Sequence, residues 1–149
     1  MLEMDPVVHS ELESVEPIRR WAGRLTLLGG LLVLVALWMV FFYAPTEREM
    51  GVIQRIYYIH VPTAWLGELA IGILALCSLG YLWLRDDRLD AIALSAAELA
   101  FLFLTATLAA GPQWARIAWG AWWVWDARLS FTLILWFINL GYFMLRGAS

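Results

Sequence analysis

The sequence predicts an all-α fold, a polytopic bundle of transmembrane helices with four spans and a tryptophan-rich interfacial segment between the third and fourth spans. Two observations lead to this prediction. Of the 149 residues, 62% belong to the apolar and aromatic set and only 15% are charged, whereas soluble domains have about 50% and about 25%. The apolar residues also form four runs near the length that crosses a ~30 Å hydrocarbon layer. Too little polar sequence remains to cover four buried helices in a soluble domain.

The four runs give the predicted domain organisation. Residues 1–20 are polar and acidic and are predicted to form a cytoplasmic N-terminal arm, whereas residues 21–149 form the membrane domain. The second and third runs each contain one carboxylate, Glu68 and Glu98. Pro45 ends the first run and Gly111-Pro112 ends the third, because proline interrupts helices. The predicted spans are residues 25–44, 61–84, 91–110 and 129–145.

The arginines predict the orientation. All ten basic residues are Arg, and three of them precede the first span. By the positive-inside rule we expect the N-terminus in the cytoplasm. Residues 45–60 and 111–128 then share the outer face, which is the periplasmic side of a bacterial inner membrane.

Composition and cysteine usage exclude several functions. A net charge of −3 disfavours nucleic acid as a partner, because phosphate binding needs a cationic patch. The single cysteine, Cys77, cannot form an intrachain disulfide, a Cys-x-x-Cys pair or covalent c-type haem attachment. No nucleophile–base pair and no glycine-rich phosphate loop is visible. We therefore expect that this chain catalyses no bond-making step and is not an enzyme.

The predicted outer segment, residues 111–128, contains five tryptophans within twelve positions. If this segment is helical, Trp119, Trp122 and Trp123 share one face, and the segment lies flat in the membrane interface. Tryptophan is enriched at interfaces in any case. A lipid-anchoring belt and a flat platform for a large planar ligand both remain open.

The other outer segment contains His60, which the sequence places where the second helix begins. Pro62 suits the first helical turn, where its missing N–H removes no hydrogen bond. A neutral imidazole in this position can coordinate a metal, or it can simply hydrogen-bond to water or lipid headgroups.

Charged residues accompany the tryptophans. Asp126 is expected to cap the fourth helix by accepting a hydrogen bond from the N–H of Arg128 or Leu129. Arg116 and Arg128 can pair with anionic groups of a ligand, or with membrane lipid phosphate.

Two segments resemble the motifs of one family. Residues 119–130, WGAWWVWDARLS, look like the tryptophan-rich WWD signature of haem-handling membrane proteins in cytochrome c maturation. Residues 58–65, YIHVPTAW, are similar to the segment that bears the first invariant histidine of the same family. The chain thus resembles the haem exporter protein C (CcmC) family of maturation system I, from about residue 20 to residue 149.

The resemblance implies a multi-pass protein of the bacterial inner membrane that holds haem b non-covalently at the periplasmic face. It implies delivery of that haem to a periplasmic haem chaperone, and an assembly with a small single-span subunit and ABC-type transporter subunits. His60 would be an axial ligand of the haem iron. The other haem-binding residues that the resemblance implies are Trp114, Trp119, Trp122, Trp123, Trp125, Asp126 and Arg128.

One departure from the family pattern qualifies this expectation. The resemblance implies six spans and a second axial histidine in an outer loop, whereas the sequence predicts four spans and contains only His9 besides His60. We expect this chain to be a portion of a longer protein, or to obtain the missing part from another chain.

Two other functions remain open from the sequence. A transporter or channel subunit, with the tryptophan-rich loop as an interfacial anchor only, would need a polar path through the bundle. Glu68, Glu98 and Asn139 offer little for such a path, and Asn139 is more simply an interhelical contact. A di-haem cytochrome b would need histidine pairs on facing helices, for which only His60 is available outside the arm. Close helix packing is expected at the alanines of the third span, Ala93, Ala96, Ala97 and Ala100.

Overall fold

The computed structural model describes the backbone of residues 6–147 and the side chains of residues 15–147. This part of the chain is helical and contains no strand. Each of the four long helices is long and apolar enough to cross a membrane. The all-α class is confirmed, and the chain is a multi-pass membrane protein. The elements are α1 (Pro6–Trp38), a π-helical turn (Met39–Tyr43), α2 (Gln54–Leu84), α3 (Asp87–Ala118) and α4 (Ala127–Gly147).

The chain divides into two compact units, residues 1–45 and 46–149. The first unit contains α1, whose most apolar stretch has a mean hydropathy of 2.6. This helix includes most of the predicted N-terminal arm. It ends in the π-helical turn, where the N–H of Ala44 donates to the carbonyl of Met39 at 2.8 Å.

In the second unit, α2 and α3 form an antiparallel hairpin joined by only two residues. Arg85 adopts a left-handed conformation with φ of 53° and ends α2. Asp86 begins α3 as its N-cap and accepts a hydrogen bond from the N–H of Arg88 at 2.9 Å. So short a connection keeps the two helices side by side and antiparallel.

Small residues bring α2 and α3 close together. A Cβ atom added to Gly67 of α2 would lie 3.0 Å from Cδ2 of Leu104 on α3. In a membrane such close approach supplies the van der Waals contacts that hold helices together. The expected packing at the alanines of the third span is confirmed, because all of them are buried. The buried positions of α3 are Ala93, Ala96, Ala97, Ala100, Leu104, Thr107, Gly111 and Ala115.

Helix α4 packs antiparallel against α3. Asn139 is buried and donates from Nδ2 to the carbonyl of Ala97 at 3.1 Å, so the expected interhelical role of Asn139 is confirmed. Trp136 donates from Nε1 to the hydroxyl of Thr105 at 2.8 Å. In the described part of the chain α2 and α4 make no close backbone contact with each other. A cleft therefore separates them, with α3 at its base.

Two helix ends differ from the sequence prediction. Helix α2 begins at Gln54, so Pro62 lies inside the helix and the prediction that it occupies the first turn is wrong. Helix α3 continues through Pro112 as far as Ala118, so the predicted end at Gly111-Pro112 is also wrong. Helices in membranes accommodate proline because nearby side chains satisfy the freed backbone groups.

A threonine hydroxyl follows Pro62 and bonds to two carbonyls of the preceding turn. Proline lacks the N–H that would donate to the carbonyl four residues earlier. The hydroxyl of Thr63 lies 3.0 Å from the carbonyl of Ile59 and 2.9 Å from that of His60. The carbonyl that lacks its donor because of Pro62 is that of Tyr58, which neither contact reaches.

Candidate functional site

A cavity of about 430 Å³ lies in the cleft between α2 and α4, at the end of the unit where α3 ends and α4 begins. Its volume is within the range of about 300–1,000 Å³ that is typical of small-molecule sites. A smaller cavity of about 70 Å³ shares several of its residues and extends toward α3. The residues that line both cavities are His60, Ala64, Glu68, Gly111, Arg128 and Leu129.

The wall on α2 forms because the helix begins earlier than the sequence predicts. The loop before it contains Gly51, whose φ of +61° favours glycine, and the carboxylate of Glu47. The N–H groups of Met50 and Glu49 donate to that carboxylate and hold the pKa of Glu47 below its ordinary value.

Because α2 begins at Gln54, its residues spaced by three and four positions share one face of the helix. The cavity-lining residues with this spacing are Tyr57, Val61, Ala64 and Glu68.

His60 is half-buried, and its ring lies against α3. A Cβ atom on Gly111 would lie 3.1 Å from Cε1 of the imidazole and 3.7 Å from Nδ1. Nδ1 itself is buried and has no hydrogen-bond partner. Nε2 is not among the buried ring atoms that lack a partner. A neutral imidazole with one available nitrogen is a good metal ligand.

Aromatic rings also line the larger cavity. Trp114, near the end of α3, meets Trp119 edge to face, with ring centroids 5.1 Å apart and planes at 81°. Tyr57 of α2 lies 6.1 Å from Trp114, also between ring centroids. The Nε1 atom of Trp114 is buried without a hydrogen-bond partner. Such a wall offers both ring faces and ring edges to an apolar ligand.

The segment after α3 is irregular. Trp119 ends the helix, and Gly120 follows with φ of +74°. A glycine in the left-handed conformation is a common end to a helix, and Arg116 donates from Nη1 to the carbonyl of Gly120. The prediction that Trp119, Trp122 and Trp123 share one helical face is therefore wrong.

The remaining tryptophans of the segment have different surroundings. Trp123 lines the smaller cavity and meets Trp125 edge to face, with ring centroids 5.6 Å apart. Trp122 is 61% exposed and Trp125 is 77% exposed, and neither lines the two cavities described above. The structure thus brings His60 together with Trp114 and Trp119 in the larger cavity, and with Trp123 in the smaller cavity.

The two charged residues predicted for the site reach the cavity from the beginning of α4. Oδ1 of Asp126 accepts a hydrogen bond from the N–H of Leu129 at 2.8 Å, so the predicted helix cap is confirmed. Arg128 is exposed and borders both cavities. Among the described side chains no carboxylate forms an ion pair with Arg128. Its guanidinium is therefore available to an anionic group of a ligand.

Several lining residues were not predicted from the sequence. Tyr57 and Glu68 would follow from helical spacing relative to His60, but only if the earlier beginning of α2 were known. Trp65, which is 70% exposed, lies within the histidine motif but was not assigned to the site. Gly111 carries no signal in the sequence that distinguishes it from a helix-ending glycine.

His60 is the one imidazole among the residues that line the two cavities. In residues 15–147 no group of three or more His, Cys, Asp or Glu side chains is placed to hold a metal ion. Structural zinc sites usually need four protein ligands, whereas haem iron needs only one or two axial ligands. A single imidazole beside an aromatic wall matches the second requirement.

Comparison with known proteins agrees with this geometry. The profile of the family described as Heme exporter protein C (CcmC) matches residues 9–149. The chain belongs to the heme exporter protein C family. The match covers α2, α3 and α4, including all residues of both cavities.

Individual relatives carry the same name or a related one. Heme exporter protein C of Haemophilus influenzae is 37% identical over 136 residues, which is 87% of this chain and 54% of the relative. That of Bradyrhizobium diazoefficiens is 40% identical over 98 residues, or 66% of this chain and 37% of the relative. A putative cytochrome c biosynthesis ccmC-like mitochondrial protein of Marchantia polymorpha is 37% identical over 110 residues, or 74% and 48%. The matched residues span 37–54% of the length of these relatives.

Proposed function

We propose that this chain holds haem at the outer end of its helix bundle, as part of a haem-handling protein of cytochrome c maturation. The observation that supports this most directly is the meeting of three kinds of group at one cavity. His60 can ligate iron, Trp114 can pack against the porphyrin, and Arg128 can pair with a propionate. Haem presents a metal, a flat apolar ring and carboxylates on one molecule. Membership of the heme exporter protein C family supports the same ligand.

The proposed binding is non-covalent and involves haem b. Nε2 of His60 is the proposed axial ligand, because Nδ1 is buried against α3. The sequence has a single cysteine, so thioether attachment through a Cys-x-x-Cys-His motif is not available to these residues. The second axial ligand is proposed to come from outside these 149 residues. The proposed platform consists of Trp114, Trp119, Trp122, Trp123 and Trp125 with Asp126, and the exposed members extend it beyond the mouth of the cavity.

We place this site on the periplasmic face of a bacterial inner membrane, with the N-terminus in the cytoplasm. Three arginines precede the first span, and positive residues favour the cytoplasmic side. The described chain offers a means to bind and present a ligand, and transfer of intact haem breaks only the coordinate bonds between the iron and its axial ligands. The proposed partners are a periplasmic haem chaperone, a small single-span subunit and ABC-type transporter subunits. Membrane lipid surrounds the spans.

The test replaces His60 by alanine in the complete protein, purified in detergent with haem added. We expect the haem affinity of the variant, measured by absorbance titration, to fall by at least about tenfold, which corresponds to the loss of about 1.4 kcal/mol of binding free energy. His9→Ala is the matched control, because His9 is the other histidine of the chain and lies in the predicted cytoplasmic arm. An unchanged haem spectrum after His60→Ala would remove His60 from the site.

One observation favours a second candidate, a transporter or channel subunit. Glu68 is exposed in the cleft and borders both cavities, and an ionisable group within a membrane span is often functional. Solute flux through the haem-free protein in liposomes, abolished by Glu68→Gln, would support this candidate. No flux, together with haem binding that depends on His60, would reject it.

A further inference from the structure

We propose that Gly111 is a positioning residue for His60, because the absence of a side chain at Gly111 determines where the imidazole lies. The inference deepens the proposed function and rests on it, since the imidazole is the proposed iron ligand. Gly111 is buried on the face of α3 that contacts α2. It borders both cavities together with His60.

The distances show how little space separates the two residues. A Cβ atom at Gly111 would lie 3.1 Å from Cε1 of His60, whereas carbon atoms in ordinary contact are about 3.5–4.0 Å apart. The β-carbon of any other residue at position 111 would therefore be too close to the imidazole of His60. Only atoms of this ring lie within 4 Å of the added atom, apart from the backbone of α3 itself and the adjacent residues.

The helices themselves are held together at this level. The hydroxyl of Thr107 on α3, one turn from Gly111, lies 3.2 Å from the hydroxyl of Thr63 on α2, one turn from His60. This contact opposes a separation of α2 from α3 that would make room for an added methyl group. The ring, which is attached by rotatable bonds, is the part that must move.

An added β-carbon at Gly67 should have a different effect from one at Gly111, because it also meets the backbone of a neighbouring helix. At Gly67 the added Cβ would also meet the backbone nitrogen of Leu104 at 3.3 Å, so relief there requires movement of a helix. At Gly111 the movement is confined to His60. We infer that the glycine keeps Nδ1 packed against α3 and leaves Nε2 directed to the cavity.

The experiment compares Gly111→Ala with Gly72→Ala in the complete protein. Gly72 of α2 is the control, because a Cβ atom there would have no atom within 4 Å. The first measurement uses haem-free protein with ¹⁵N-labelled histidine, in which the imidazole signals of His60 are identified by their loss in His60→Ala. We expect Gly111→Ala to shift the His60 signals, and Gly72→Ala to leave them unchanged.

The second measurement uses haem-loaded protein. A displaced imidazole should weaken the iron–nitrogen bond, so Gly111→Ala should alter the haem absorption bands. It should also speed haem release by about tenfold, the effect of a modest overpacking strain. If both the imidazole signals and the haem bands match those of Gly72→Ala, the positioning role is wrong. If even the natural protein fails to bind haem, the proposed function fails, while the haem-free signals still decide the role of Gly111.

A further variant covers the possibility that Gly111→Ala does not fold. Residues before proline avoid the helical region when they carry a β-carbon, and Gly111 precedes Pro112. However, Val61 precedes Pro62 within α2, so this protein accommodates such a pair. Because the imidazole is the only group from another helix within 4 Å of the added atom, His60→Ala combined with Gly111→Ala should restore folding. Failure of the double variant to fold would overturn the proposal.

Discussion

Asn139 of α4 donates a hydrogen bond from Nδ2 to the backbone carbonyl of Ala97 on α3, over 3.1 Å. The residue is only 1% exposed, and its Oδ1 atom has no hydrogen-bond partner. Interhelical hydrogen bonds in membrane proteins contribute on average about 0.6 kcal/mol and at most about 1.7 kcal/mol. This contact therefore fixes the register of α4 against α3 at a modest gain in free energy.

We expect Asn139→Ala to lower the free energy of unfolding by about 1 kcal/mol, through loss of this hydrogen bond and of buried contacts. Denaturant unfolding in detergent micelles measures the change. Ile138→Ala is the control, since Ile138 is adjacent and 63% exposed. Equal effects of the two substitutions would show that the hydrogen bond to Ala97 contributes nothing of its own.

The contact between Gly67 and Leu104 predicts a steric effect. We expect Gly67→Ala to destabilise the α2–α3 hairpin by about 1–3 kcal/mol, because the added atom meets both the side chain and the backbone of Leu104. Gly72→Ala should be neutral or stabilising, since alanine favours the helix and has open space at that position. Thermal unfolding of the two variants in detergent measures the difference. Equal stability of both would contradict the packing described.

The positions of the tryptophans predict unequal effects on haem retention. We expect Trp114→Ala and Trp119→Ala each to speed haem release several-fold, because both rings line the larger cavity. Trp125→Ala should have less effect, since Trp125 is 77% exposed and lies outside both cavities. Release to an excess of apomyoglobin gives the rates. A larger effect of Trp125 would mean that the ligand rests on the exposed rings.

Two substitutions distinguish the helix-capping role of the Asp126 side chain from a role of its negative charge in haem binding. We expect Asp126→Ala to destabilise α4 by about 1 kcal/mol, because the N–H of Leu129 loses its partner. Asp126→Asn keeps an oxygen that can accept this hydrogen bond, so it should preserve stability. Unfolding and haem affinity are measured for both variants. If Asp126→Asn is stable but binds haem poorly, the negative charge itself acts at the site.

Much of the fold could be predicted because membrane insertion depends on properties that run along the chain. Four apolar runs of sufficient length predict four helices, and the alanines of α3 and the cap at Asp126 follow from local rules. The beginning of α2 was missed because its first two turns contain polar and aromatic residues outside the apolar run, such as Gln54 and Tyr57. The end of α3 was missed because Gly111 and Pro112 are ordinary helix-ending residues, yet here they lie within the helix.

The sequence by itself determined the membrane helices, the residue types that suit haem and the motifs that relate the chain to its family. Only the tertiary structure decided which of these residues meet. The register of α2 against α3 places His60 against Gly111. At the end of α3, Trp119 lines the larger cavity, whereas Trp122 in the irregular segment that follows is exposed. Hydropathy and capping act over a few neighbouring residues, whereas the packing of two helices depends on atoms about fifty positions apart in the chain. Local patterns therefore cannot specify it.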